Sequence, residues 1–455
     1  MQKLLHYITT MDGMYNWPIE AIQYIQKLEQ EIKELKERIT KLENKLLAYE
    51  NPHTPPSQQR FKGNSGGNIN PPGKRGAPVG HHGATRVMPK PDEIIPVTID
   101  QCPCCGSVLG DAVSVEQRTI EEIPPPKKTR VTRYILHKYV CSACGSEVTA
   151  RHPDCPMVGD LGVRLMTNIT MAKFHQRGVL RRIQETLCEQ YVFQISPKGI
   201  HDVLLRVGHA CAGEYEQLIQ RIRLAQWRYT DETGIQVMGK NWWLWIFRSN
   251  TDDILAVIRP SRGQDVLKEI HGEQVNGADV TDGWRSYHCL PVTQRCWAHL
   301  LREVDAYKDA SEHGRRLSEE MHKRFQLLKE FIRKNPPMEE RKQMKEIWDA
   351  ELQALVDEYI EYLDVRAMVK YIKNGIGCWY TCLLYPGMQP TNNLAEQAIR
   401  EHVIVRKIIG TFRSIKGSEN YQYIASLFAT WKFQGKNITV ELENLLRREL
   451  CLSPS

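Results

Sequence analysis

WRYTDETG (227–234), GADVTDGWRSYH (277–288) and NNLAEQAIR (392–400) decide how this chain is read. In the first, alternating residues read as a strand that runs into an acidic turn at Asp231. QVMGKNWWLWIFRS (236–249) and DILAVIRPS (253–261) read as two further strands, and GQDVLKEIHG (263–272) as a helix. GADVTDGWRSYH is a strand that ends at Asp282. TQRCWAHLLREV (293–304) leads into a long charged helical stretch over 300–375, and a last helix follows Asn392. Strands first, helices inserted and acids at strand ends predict an α/β core.

Asp231, Asp282 and Glu396 carry the candidate chemistry. Carboxylates gathered at strand ends suit Mg²⁺, a hard cation that prefers oxygen. Two such ions about 4 Å apart activate a water or a 3′-hydroxyl and stabilise the leaving oxygen in phosphoryl transfer. Asp231 would bridge both ions, with Asp282 and Glu396 each holding one. Taken singly, an Asp at a strand end is usually a cap or turn residue, so the combination is what counts. Glu232 competes with Asp231, but adjacent strand residues point to opposite faces, so only one meets the metals directly.

The surroundings are polar and basic. Asn392, Asn393, Glu396 and Arg400 share one helical face, while Leu394, Ala395, Ala398 and Ile399 suit packing on the sheet. Arg400, Arg406, Lys407, Arg413 and Lys416 stand against a single acid, Glu401. Such a cluster holds DNA phosphates; the alternative is a solvated face. Trp242, Trp243 and Trp245 read as core packing, with base stacking as the alternative. Cys296-Trp-Ala-His299 offers too few ligands for a metal site of its own. It reads as a structural tie between the helical stretch and the core, with a phosphate contact by His299 as the alternative.

Upstream, Ser196-Pro197 opens a capped helix after VLRRIQETLCEQY (179–191) and a short break. That pattern is compatible with a helix-turn-helix DNA reader and with a plain helical bundle. Cys102-Pro-Cys-Cys105-Gly and Cys141-Ser-Ala-Cys144-Gly are two C-x-x-C knuckles, which together present four thiolates to a structural Zn²⁺. Cys104 is an extra thiol. Residues 51–90 hold seven Pro, seven Gly, six Lys or Arg and no acid, so they read as a positive linker, in contact with DNA or an inert spacer. Ile25, Leu28, Ile32, Leu35, Ile39, Leu42, Leu46 and Tyr49 form an a/d heptad seam with matched flanking charges. It predicts a parallel coiled-coil dimer; the alternative is a helix packed on its own chain.

The 455 residues leave room for about three domains. No run approaches the 18 or so apolar residues of a membrane helix, so no membrane partner is expected. The N-terminal residues hold no apolar run of secretory length, which predicts a cytoplasmic protein. Thirteen cysteines, an odd number, then argue for reduced thiols and metal. The net charge of +7 permits nucleic acid without requiring it.

TDETG, DVTDGWRSYH, CWAHLLREV and NNLAEQAIREHVIVRKIIGTFRS resemble the successive blocks of the IS66-type DDE transposases. The upstream order fits as well: coiled coil, basic linker, GAPVGHHGATR, ribbon, helices. The chain departs from the family where TFRSIKGSEN replaces a small-residue turn and Gln397 stands in place of Arg. The resemblance implies a multidomain protein with a ribonuclease H-like catalytic core interrupted by a helical insertion, since 114 residues separate Asp282 from Glu396. The expected divisions are a coiled coil (18–50), a linker (51–95), a zinc ribbon (96–155) and a helical DNA-binding region (156–222). The core follows in two parts (223–299 and 386–450), with the insertion between them (300–385). The resemblance also implies a prokaryotic, nucleoid-associated DNA transposase that binds terminal inverted repeats. Its catalytic acids would be Asp231, Asp282 and Glu396, acting with two Mg²⁺ or Mn²⁺ ions in strand cleavage and strand transfer. Element ends and target DNA are its implied partners, with companion proteins of the same element. The rival readings are a nuclease of the same fold without strand transfer and an inactive DNA-binding regulator.

Overall fold

The computed structural model describes residues 27–28, 30–36, 39 and 89–452. The chain divides into two units, 1–123 and 124–455. In the first, the described residues between 27 and 39 are helical, and Leu28, Ile32, Leu35 and Ile39 of the seam are exposed. The rest of the seam and linker residues 51–88 lie outside the described residues.

In the second unit, β1 (Lys138–Val140) and β2 (Glu147–Thr149) form an antiparallel pair. Three helices follow: α1 (Val163–Phe174), α2 (Leu180–Tyr191) and α3 (Pro197–Leu224). Ser196 caps α3 by accepting the Gly199 N–H at 3.0 Å, and Pro197 takes the first helical position, as the sequence predicts. Ile200, Val207, Cys211 and Leu218 of α3 are wholly buried in one cluster with Trp245, Phe247, Leu255 and Val257 of the main sheet. The capped helix is therefore a core helix of the α/β body.

That sheet has five strands in the order β5-β4-β3-β6-β7. They are β3 (Trp227–Val237), β4 (Lys240–Ser249), β5 (Ile254–Arg259), β6 (Ala278–Thr281) and β7 (Thr293–Arg295). β3, β4 and β5 run antiparallel as a meander, whereas β6 and β7 join β3 in parallel. α4 (Gln264–His271) makes the crossover between β5 and β6. One expectation is corrected here. TDETG is not a turn; β3 continues through it to Val237. The reversal comes at Met238 and Gly239, both with positive φ (52° and 72°), the two-residue hairpin geometry that matches strand twist.

The β3–β6 pairing is held from within. Arg228 and Asp279 are paired in register and wholly buried, with Arg228 Nε 3.1 Å from Asp279 Oδ1. The remaining guanidinium nitrogens donate to the carbonyls of Ile222 and Asn276, and Thr230 Oγ1 donates to Asp279 Oδ1 at 3.0 Å. A buried pair saturated in this way tolerates no loss of one partner; such a loss costs about 3–5 kcal/mol.

The insertion expected over 300–385 is helical and carries its own core. α5 (Trp297–Asp305), α6 (Glu312–Arg333), α7 (Met338–Tyr359) and α8 (Arg366–Lys373) bury Leu317, Met321, Leu352 and Ile372 around Trp297 and Trp379. That core is continuous with Tyr229 and Val280 of the sheet. The chain then returns through α9 (Asn393–Ile409), α10 (Ile415–Phe433) and α11 (Ile438–Leu446). Ala398 and Ile399 of α9 pack on the sheet face formed by Ile235, Leu244 and Ile246. Gln422, Ser426 and Thr430, one helical turn apart on α10, accept the backbone N–H groups of Ile258, Ala256 and Ile254 on edge strand β5, at 3.0, 2.8 and 2.9 Å. At the other edge, Arg295 N donates to Cys378 O of the insertion at 2.9 Å. Among the described residues no helix is long and apolar enough to cross a membrane.

Candidate active site

Strand register brings the two aspartates together. Tyr229 pairs with Val280. Asp231 and Asp282 each lie two residues further on, so a side-chain period of two sends both to the same face. β6 ends at Thr281, which frees the Asp282 loop. There Asp282 Oδ1 accepts the Trp284 N–H at 2.9 Å, and Gly283 takes φ +87°. A side chain at Gly283 would collide with the guanidinium of Arg295, so both the backbone angle and the packing require glycine.

Asn392 brings the third acid. It is buried; its N–H donates to Cys296 Sγ at 3.1 Å and its Nδ2 to Thr230 O at 2.9 Å. These two bonds fasten the start of α9 to the end of β7 and to the residue before Asp231. Glu396, in the first turn of α9, then faces the sheet end, with His299 Nε2 3.9 Å from Glu396 Oε1. Sequence reasoning placed Asn392 on the polar helical face beside Glu396; its side chain is a buried tether instead. Its only signal was the doubled Asn before the helix.

Charge follows geometry. Asp231 is pushed up to about 7, first by burial and then by Glu232, with Asp282 and Glu396 adding to the repulsion. Its Oδ1 accepts the Glu232 N–H at 2.9 Å. Glu232 turns to the opposite face, as strand alternation requires. There it takes a 2.8 Å bond from Arg262 Nε and another from the Tyr287 hydroxyl, and burial raises its carboxyl while these partners lower it. No three His, Cys, Asp or Glu side chains among the described residues stand as a preassembled ligand cluster. The donor set nevertheless fits a hard divalent cation: three carboxylates that repel one another in a partly buried site are relieved by positive charge.

The other predicted residues sort differently. Cys296 is buried, and burial pushes its thiol up. His299 Nδ1 is buried without a partner in the structure. Arg400, Lys407, Arg413 and Lys416 are exposed. Arg406 is not: it donates to Thr233 Oγ1 at 3.1 Å and to Gly234 O, and so clamps β3. Glu401 is taken by Arg177 in a two-pronged pair at 2.7 and 2.8 Å, which leaves the exposed cations without that counter-charge. Trp245 is fully buried, as core packing predicts.

The two cysteine knuckles have the same form, one in each unit. Gly106 N donates to Cys102 O and Gly145 N to Cys141 O, each at 2.8 Å. The glycines share positive φ, 74° and 70°. Cys105 and Cys144 are both held below the usual thiol range, first by the side chains of Ser107 and Ser146. Lowered thiols on matching turns suit a thiolate-binding metal such as Zn²⁺.

Residues 159–420 match the family model for the IS66 family transposase. The chain belongs to the IS66 transposase family. Residues 100–145 match a second model, the zinc-finger binding domain of transposase IS66, and take in all four knuckle cysteines. No curated protein matches the chain. In this IS66-family protein the matched span covers Asp231, Asp282 and Glu396 and the helices α5 to α8 between the last two.

The raised Asp231 has a measurable consequence. Its folded value lies above the unfolded one, near 3.9, so the folded state holds the proton more tightly. Stability therefore falls as pH rises from about 4 through about 7. Without divalent cations, Asp231→Asn should melt a few degrees above wild type at pH 8, and the gap should close toward pH 4. Melting curves across that range decide it; a gap independent of pH would show that Asp231 is not strained when ionised.

Proposed function

We propose that this chain is a DDE-type DNA transposase whose core is ribonuclease H-like, with Asp231, Asp282 and Glu396 as its catalytic acids. The observation that carries this reading is the shared register of the two aspartates, with α9 tethered beside them through Asn392. The three carboxylates would hold two Mg²⁺ or Mn²⁺ ions. When bound, the ions supply electrostatic stabilisation of the attacking and leaving oxygens in phosphoryl transfer. The chain's own residues do the rest. Burial around Asp231 keeps the carboxylates from being satisfied by water alone. Exposed Arg400, Lys407, Arg413 and Lys416 hold DNA phosphates near the acids, and Arg406 keeps β3 in place. Cys296 and His299 tie the insertion and α9 to the sheet end. The product sequence would be strand cleavage by water at the element's terminal inverted repeats, then attack of the freed 3′-hydroxyl on target DNA. Element-encoded companion proteins are further proposed partners.

Each of Asp231→Asn, Asp282→Asn and Glu396→Gln should lower cleavage of labelled element ends in Mg²⁺ by a factor of about 10³ or more, with end binding retained. Joining of the ends to a target plasmid separates a transposase from a nuclease. Near-normal cleavage by Glu396→Gln would remove Glu396 from the centre.

The four knuckle cysteines, Cys102, Cys105, Cys141 and Cys144, would share one structural Zn²⁺. Elemental analysis of the purified chain should find about one zinc per molecule, lowered by Cys102→Ser or by Cys141→Ser. Full zinc content in both variants would sink the shared site.

Exposed Leu28, Ile32, Leu35 and Ile39 favour self-association through the 18–50 segment. Replacing Ile32 and Ile39 by Lys should shift the protein toward monomer in light scattering and abolish paired-end complexes while sparing single-end binding. An unchanged dimer would move the contact to another region.

A further inference from the structure

Trp284 stands two residues beyond Asp282, and 43% of its surface is exposed. It is the one tryptophan among the described residues counted as an exposed large apolar group. Single exposed apolar side chains are ordinary, so exposure alone means little. What sets Trp284 apart is how it is held. Its N–H is bound by Asp282, and the preceding Gly283 is pinned against Arg295. Its indole lies over the guanidinium of Arg262, 4.1 Å from ring centroid to carbon. The same guanidinium lies over Trp243 at 4.6 Å. Arg262 is fixed in turn by Glu232, whose side chain is 1% exposed, and by Ser286 Oγ, which donates to its carbonyl at 2.6 Å. The result is a cluster in which one guanidinium, held by a buried carboxylate, contacts both Trp243 and Trp284, with Trp284 as its exposed member.

We propose that the exposed indole of Trp284 takes an unpaired nucleobase of the DNA strand whose phosphate lies at the acids. The proposal rests on reading Asp231, Asp282 and Glu396 as the strand-cleavage centre. Every base has a π-face, so stacking on a fixed indole accepts any sequence, and the adjacent cation adds to it. A base held there would be one already out of the duplex, because a paired base offers no free face. The loop that carries Asp282 also carries Trp284, so phosphate and base would be located by one rigid turn. The cluster also changes the reading of the β4 tryptophans: Trp243 supports the platform through Arg262, and Trp245 is core.

The test needs neither the element's end sequence nor cleavage. The probe is a forked duplex of arbitrary sequence with a thymidine tail and one 2-aminopurine at the fork, with Ca²⁺ in place of Mg²⁺. Wild type should quench the 2-aminopurine. Trp284→Ala should not quench, and should bind the fork about tenfold more weakly while binding fully paired duplex as wild type does. Trp284→Phe should restore most of both signals. Melting curves establish that each variant is folded. Quenching by Trp284→Ala, no quenching by wild type, or an equal loss on fork and duplex would each overturn the platform. Because the signal is read without strand cutting, a failed acid assignment would appear in the cleavage assay and leave this result standing by itself.

Discussion

The buried ion pair between Arg228 and Asp279 sets the position of everything the site contains. It lies three residues before Asp231 on one strand and three before Asp282 on the other. A parallel pair slipped by one residue would send one aspartate to the wrong face. Apolar contacts alone discriminate poorly between such registers in a short pairing. A buried guanidinium each of whose three nitrogens donates, on a carboxylate that also accepts from Thr230, has one satisfactory arrangement. The pair contributes little net stability against an apolar substitute, and its value lies in specificity of alignment.

A second lock converts two aligned acids into three. Asn392 is bonded to both the strand that carries Asp231 and the cysteine that opens α5. The insertion between Asp282 and Glu396 could have left the third acid loosely placed. Its own core, continuous with Tyr229 and Val280, makes it a rigid spacer instead. Gln294 adds to this by donating to Trp379 O and accepting from Cys382 N, at 2.8 and 2.7 Å. The 114-residue excursion therefore returns to a fixed point.

The cysteine turns, the helices over 300–375 and the α/β class were legible in the sequence, because each leaves a local pattern of spacing or periodicity, and the candidate acids stood out by their places at strand ends and in a first helical turn. The end of β3 was misread for a physical reason. Acidic residues next to Gly234 imitate a turn, but the positive-φ pair that makes the real one is Met238-Gly239, where methionine gives no warning. Arg406 reads like its exposed basic neighbours because a formula of charges cannot tell an exposed guanidinium from one spent on a carbonyl. The Arg228–Asp279 pair, the Asn392 tether and the Arg262 cluster join residues far apart in the chain. Such contacts carry no periodic signal, so only the folded structure displays them.

The edges of the sheet have a further consequence. A free strand edge is a template on which another chain can add by backbone pairing. On β5 that template is filled by Gln422, Ser426 and Thr430, and on β7 by the backbone of the insertion. Any chain with an open strand edge is at risk of pairing wrongly with its own copies, as growing β-aggregates. With one border of the five-stranded sheet met by side chains of α10 and the other by the backbone at Cys378, this fold withholds both templates from another chain.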